Sequence, residues 1–234
     1  SALASYDTER NNAGVDGTSK MSEYLTWGEI HPRTLLAELG TSNAHDVYRK
    51  EIAWREFYAD VLHHNPHTTW DYYAPRFKEM RYDEPDSKFN AWCEGKTGYP
   101  FVDAAMRQLV QTGWMHNRLR MVVSMFLTKH LFIDWRKGEE YFMQHLIDAD
   151  FASNNGGWQW SASTGVDAAP YFRVFNPSEQ IKKFDKAFKY IKTWVPKFGT
   201  ENYPEPIVEH KMARLRALET YKTGIENRII SESI

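Results

Sequence analysis

The stretch NNGGWQWSASTGVDAAPYFRVFNP at 154–177, preceded by GWMHNRLRM at 113–121, decides the reading of this chain. It packs paired Asn, paired Gly, two Trp one residue apart and a Ser/Thr tail into a short span. A helix that only fills a core favours Leu, Ala and Glu, because Gly and Asn cost helix free energy. Paired Gly removes side chains where something must approach the backbone closely. Together these residues predict a lined pocket for a flat, polar, aromatic ligand.

Outward from that stretch, the helical signal recurs over 101–112, 117–134 and 138–149, with Gly113 and Gly138 read as separators. Residues 44–64 place Val47, Ile52, Trp54, Phe57, Val61 and Leu62 at helical spacing. His31-Pro32-Arg33 opens a helix with Pro in its first turn. Ser22 reads as the N-cap of another. Pro66 ends the 44–64 helix, and 65–100 reads as irregular. A last amphipathic helix is expected over 206–222, apolar at Ile207, Val208, Met212, Leu215 and Leu218. No period-two alternation is long enough for a strand. The fold class predicted is all-α, one domain over 1–234 with a loop-like entry at 1–21.

Composition narrows the function class. The net charge is −2, so any nucleic-acid contact must use a local basic face. A lone cysteine, Cys93, excludes an intrachain disulfide and suits a reducing compartment. No run approaches the roughly 20 apolar residues of a membrane span. A cytoplasmic, monomeric protein is expected. Of the nine Trp, Trp27, Trp70, Trp92, Trp114 and Trp194 read as core. His63, His64 and His67 lack the accompanying ligands of a metal site, and none is expected.

These motifs, in one order from about Tyr6 to Lys222, resemble the flavin-binding domain of the photolyase/cryptochrome family, specifically its class I cyclobutane pyrimidine dimer photolyases. The resemblance implies a helical FAD-binding catalytic domain whose reduced FAD, excited by near-UV or blue light, donates an electron to a pyrimidine dimer in DNA. It implies FAD contacts from Tyr6, from the loop Thr18, Ser19, Lys20, Met21 and Ser22, and from Asn117, Arg120, Asp148, Asp150 and Asn154, with Arg55 serving either the flavin phosphates or the substrate pocket. The Arg120 and Asp148 positions form an ion pair beside the flavin in the family, and the Asn154 position faces its N5. Relatives often carry Arg where this chain has Lys20, a point charge in place of a bidentate contact.

The resemblance also implies a substrate set. Trp54 and Trp160 would stack on the flipped-out dimer, and Glu51 would hydrogen-bond a base. Met121 stands in the region where enzymes of the (6-4) type place histidines for acid catalysis. Arg10, Arg118 and Arg173 match positions that approach DNA phosphates. Trp158 and Trp135 match the proximal and middle members of an electron-transfer chain, and Tyr82 stands at the distal position, with solvent or a neighbour as the acceptor for its phenol proton. Family members carry an N-terminal antenna domain, which this chain is expected to lack together with its chromophore. A cryptochrome-like photoreceptor is the alternative reading.

Overall fold

The computed structural model describes residues 3–83 and 86–231, with side chains described through Gly224. Twelve α-helices follow in order among these residues: α1 (Tyr6–Glu9), α2 (Ser22–Thr26), α3 (Pro32–Ala37), α4 (Asn43–His64), α5 (Asp86–Cys93), α6 (Pro100–Thr112), α7 (Asn117–Met125), α8 (Trp135–His145), α9 (Phe151–Ala162), α10 (Pro177–Phe184), α11 (Lys189–Trp194) and α12 (His210–Ser231). The described residues contain no strand, so the all-α expectation holds.

The helix ends follow local chemistry. Ser42 Oγ accepts from His45 N at 3.3 Å and starts α4. Asp150 Oδ1 accepts from Ser153 N at 2.9 Å and starts α9. Both are N-cap bonds that satisfy an otherwise orphaned helix donor. Gly113 stops α6 at φ +69°, in the left-handed region where a Cβ is costly.

Most of the apolar side chains form one core built on α5 to α9, with Trp92, Phe101, Leu119 and Trp135 fully buried. A smaller cluster of Tyr6, Ala44, Tyr48 and Ile52 joins α1 to α4. α4 also packs on α9, and α9 packs on α7 and α8. The functional cavity is lined from both clusters.

Several expectations are corrected. The entry segment contains α1, and the region read as irregular contains α5 and two 3-10 turns, Pro66–Thr69 and Pro75–Phe77. Ser22 is the first residue of α2 and does not cap it; the N-cap is Met21, and Ser19 Oγ accepts from Met21 N at 3.3 Å. The helix expected over 117–134 ends at Met125, passes through a π-helical turn (Phe126–His130), and breaks where Phe132 takes φ +57°. Gly138 lies inside α8, which starts three residues earlier because the Asp134 side chain caps it through Arg136 N. The final helix starts at His210 and buries Ala213, Ala217 and Tyr221, leaving Met212 and Leu215 exposed. Trp27 and Trp70 are not core residues, being 72% and 65% exposed.

Candidate functional site

A cavity of about 540 Å³ opens between α4 and the α7–α9 face, within the size range of cofactor sites. Four chain segments build it. The loop into α2 contributes Thr18, Ser19, Lys20, Met21 and Ser22, with Tyr6 and Arg10 beside it. One face of α4 contributes Glu51, Trp54 and Arg55 at the i, i+3 and i+4 spacing that aligns side chains on a helix. The start of α7 contributes Asn117, Arg120 and Met121. Asp148, Asp150, Asn154, Trp158 and Trp160 come from the α8–α9 connection and α9.

Electrostatic pairing orders the walls. Arg120 Nη2 donates to both Asp148 oxygens, at 2.9 and 2.7 Å, while its Nε donates to Met115 O at 2.8 Å. Asp148 is 4% exposed, so this is a buried charge held by its partner. Arg55 lies 3.5 Å from Asp150, and Arg10 lies 2.6 Å from Glu51. Asn154 Nδ2 donates to the Glu139 carbonyl at 3.0 Å, which fixes the amide and commits its donor side to the protein. Lys20 pairs with Asp16 at 2.8 Å on the exposed side of its loop. Burial, together with the Glu51 carboxylate, pushes the Tyr6 phenol up to about 12.

The cavity thus brings together every residue expected to hold the cofactor, and Glu51, Trp54, Met121, Trp158, Trp160 and Arg10 with them. The other positions lie elsewhere. Arg118 points away, its Nε and Nη2 donating to Asn11 Oδ1 at 3.2 and 2.7 Å and its guanidinium resting 4.5 Å over Phe184. Arg173 is exposed, in a segment held by Lys129. Trp135 is fully buried and does not line the cavity, with its ring edge-on to Tyr72 at 6.4 Å. For Tyr82, a neighbour and not solvent is the proton acceptor that the surroundings offer. Its hydroxyl is buried without a well-formed hydrogen bond, and burial holds it well above its ordinary value, so solvent is not its proton acceptor. Tyr221, Tyr72 and Asp134 are its polar neighbours.

Sequence reasoning missed Tyr48 and Tyr58, which also line the cavity. Both continue the α4 face, three residues before Glu51 and three after Arg55, so helical periodicity carries the signal. Trp114, read as core, lines the cavity as well. The paired glycines divide their roles. A Cβ on Gly156 would fall 2.1 Å from the Tyr58 ring, whereas one on Gly157 would meet nothing within 4 Å. Gly157 faces the cavity. His116, beside the pocket motif, is 3% exposed and does not line the cavity. Burial and the neighbouring Arg118, Arg120 and Arg10 charges lower it to about 4.

Glu139, 6% exposed, stands behind Asn154. Its Oε1 accepts from Asn155 Nδ2 at 2.9 Å, but burial outweighs that bond and pushes the carboxyl up to about 7. The folded state therefore holds this proton where the unfolded chain has released it, and the stability contributed by protonated Glu139 is lost as pH rises from about 4.5 to about 7. Glu139→Gln should match the parent protein near pH 4.5 and exceed its stability above pH 7. A denaturation difference that does not change with pH would contradict this.

Comparison with known proteins agrees with the geometry. Residues 48–200 match the family model for the FAD binding domain of DNA photolyase. The chain is 45% identical to the deoxyribodipyrimidine photo-lyase of Escherichia coli, over 94% of this chain and 52% of that protein. It is 44% identical to that of Synechococcus, over 90% and 49%. Its structure superposes on a bacterial class III photolyase from Agrobacterium tumefaciens with a TM-score of 0.91 and 41% identity, covering 96% of this chain and 53% of that one. A cryptochrome from Synechocystis is similar at 30% identity, with a TM-score of 0.85, over 94% of this chain and 52% of that one. The chain belongs to the photolyase family through its FAD-binding domain, and spans about half the length of the curated relatives it matches. Among the described residues, no helix is long and apolar enough to cross a membrane.

Proposed function

We propose that this chain performs light-dependent repair of cyclobutane pyrimidine dimers in DNA, as a deoxyribodipyrimidine photo-lyase. The observation that carries the reading is the sharing of one cavity by two sets of residues, one suited to a flavin and one to a lesion.

The donor set suits FAD. The hydroxyls of Thr18, Ser19 and Ser22 with the Lys20 cation suit its pyrophosphate, as a loop of donors on an α2 of only five residues. Arg120, Asp148, Asp150, Asn117 and Asn154 suit the polar edge of its ring system, with Tyr6 and Arg55 completing the wall. Bound and reduced, FAD supplies an electron on absorbing near-UV or blue light, and the repair has no net redox change. The protein binds and orients. Asn154, its Nδ2 committed to Glu139 O, keeps Oδ1 as an acceptor for an N–H and adds no negative charge there. Trp158 lines the cavity, and with the fully buried Trp135 forms the proposed route by which the protein re-reduces its cofactor.

On the substrate side, Trp54 and Trp160 line the cavity and offer indole rings to a flipped-out pyrimidine dimer. Glu51, neutralised by Arg10, can accept from a base N–H. Met121 supplies no proton, and buried His116 is not available as an acid at neutral pH. That favours dimer splitting over acid-assisted (6-4) chemistry. The reaction needs access to DNA, in keeping with a cytoplasmic protein.

Repair of a dimer-containing oligonucleotide under blue light tests the reading. Flavin binding without dimer splitting would favour the photoreceptor alternative. Trp54→Ala and Trp160→Ala should each weaken binding to dimer-containing DNA by about 5- to 150-fold, since stacking contributes about 1–3 kcal/mol per base. Bound flavin should remain in place. Flavin loss without a selective loss of DNA affinity would reverse the assignment of these rings.

A further inference from the structure

Lys129 has no carboxylate within ion-pairing distance among the described residues, yet its side chain is 0% exposed. A buried ammonium is costly unless its hydrogen bonds are satisfied. Burial, with Arg173 nearby, pulls this one down to about 7. Its acceptors come from one segment. Nζ donates to Ser163 Oγ at 2.5 Å, Tyr171 O at 3.2 Å and Arg173 O at 3.4 Å. It also lies 5.0 Å over the Tyr221 ring, which stacks on Tyr171 at 6.2 Å.

These partners sit at the two ends of a non-helical loop. Ser163 ends α9 in the left-handed region at φ +66°, and the chain stays irregular until α10 begins at Pro177. The loop leaves the cavity wall at Trp160, returns to it at Asp167, and exposes Phe172 (61%) and Arg173. Backbone bonds from Ala169 N to Trp160 O at 3.1 Å and from Arg173 N to Pro170 O at 2.8 Å shape its centre. An exposed aromatic beside a cation is suited to an unstacked nucleic-acid strand and its phosphate.

We propose that Lys129 is a positioning residue that staples both ends of the 163–173 loop and so sets the DNA-facing rim of the lesion cavity. The proposal rests on the repair reading for its substrate, although the staple itself is independent of it. Lys129 sits in the π-helical turn, and its Nζ reaches three acceptors at the end of α9 and in the chain that follows it.

The test compares the flavin-loaded parent protein with Lys129→Met, which keeps the packing volume and removes the donors, and with the milder Ser163→Ala. Lys129→Met should raise the Kd for dimer-containing oligonucleotide about tenfold. The repair rate at saturating DNA and the flavin content should stay unchanged. Amide exchange in 166–173 should accelerate about tenfold while α6 and α7 keep their protection. Ser163→Ala should shift the same quantities in the same direction by less. Unchanged exchange in the loop, or loss of flavin in step with loss of DNA affinity, overturns the proposal. If the parent protein binds no dimer-containing DNA, the repair reading falls and the rim loses its proposed substrate. Normal parent binding with Kd unmoved in Lys129→Met overturns the role of Lys129 alone.

Discussion

Arg120→Leu should destabilise the protein by about 3–5 kcal/mol and strip it of flavin. The reason lies in what the substitution leaves behind. The Asp148 side chain is 1% exposed, and its two oxygens take their donors from Arg120 Nη2. Without the guanidinium, a buried carboxylate loses its counter-charge, and the Met115 carbonyl loses the Nε donor. Asp148→Asn should cost less, because a neutral amide needs no counter-charge and Arg120, with 26% of its side chain exposed, can still reach water. The double variant Arg120→Leu/Asp148→Asn should recover part of the loss of the first. Chemical denaturation of the flavin-free proteins measures stability, and the absorption spectrum measures retained flavin. Equal losses for Arg120→Leu and Asp148→Asn, with no recovery in the double variant, would show that the pair is not coupled.

How far such a site is legible in the amino-acid sequence depends on where its signals lie. Glu51, Trp54 and Arg55 share a helical face that sequence spacing alone predicts, and the same period extends to Tyr48 and Tyr58. The helix carrying them is readable from 44 to 64, within one residue of its start, because a long periodic run marks it and Pro66 stops it. α12 misleads because its buried face is Ala213, Ala217 and Tyr221. Two alanines carry little hydrophobic signal, while Met212 and Leu215 beside them carry much and face solvent. Trp27 misleads because its role is a hydrogen bond: Nε1 donates to Ile147 O at 2.8 Å, tying α2 to the cavity wall. α5 escapes notice because a helix of eight residues is short against the Pro and Gly around it. Convergence of four segments on one cavity is a tertiary fact. Only the likeness to a family with such a site makes it foreseeable.

Gly138 and Gly157 should respond to alanine with opposite changes in stability and the same change in flavin binding. A Cβ on Gly138 would lie 2.1 Å from Trp158 Cη2, 2.4 Å from Cζ3 and 2.6 Å from Leu127 Cδ2. Trp158 is held edge-on by Phe142 at 5.0 Å and by Trp92 at 6.1 Å, and its open side is the cavity. Overpacking of this kind costs about 1–3 kcal/mol, and more where the neighbours cannot give way. Gly138→Ala should therefore sit at or above the top of that range and push the Trp158 ring into the space proposed for the flavin. Gly157 has no atom within 4 Å of the position its Cβ would take, so the protein itself offers no clash. Replacing a helical Gly by Ala is worth up to about 1 kcal/mol, and Gly157→Ala should raise the melting temperature of the flavin-free protein. Its methyl would nevertheless project into the cavity and lower flavin affinity. Melting curves of the flavin-free variants, set beside their flavin content, separate the two. If Gly157→Ala keeps its flavin while gaining stability, the open face of α9 is not where the ring system lies. If Gly138→Ala melts with the parent protein, Trp158 is not fixed as the packing around it requires.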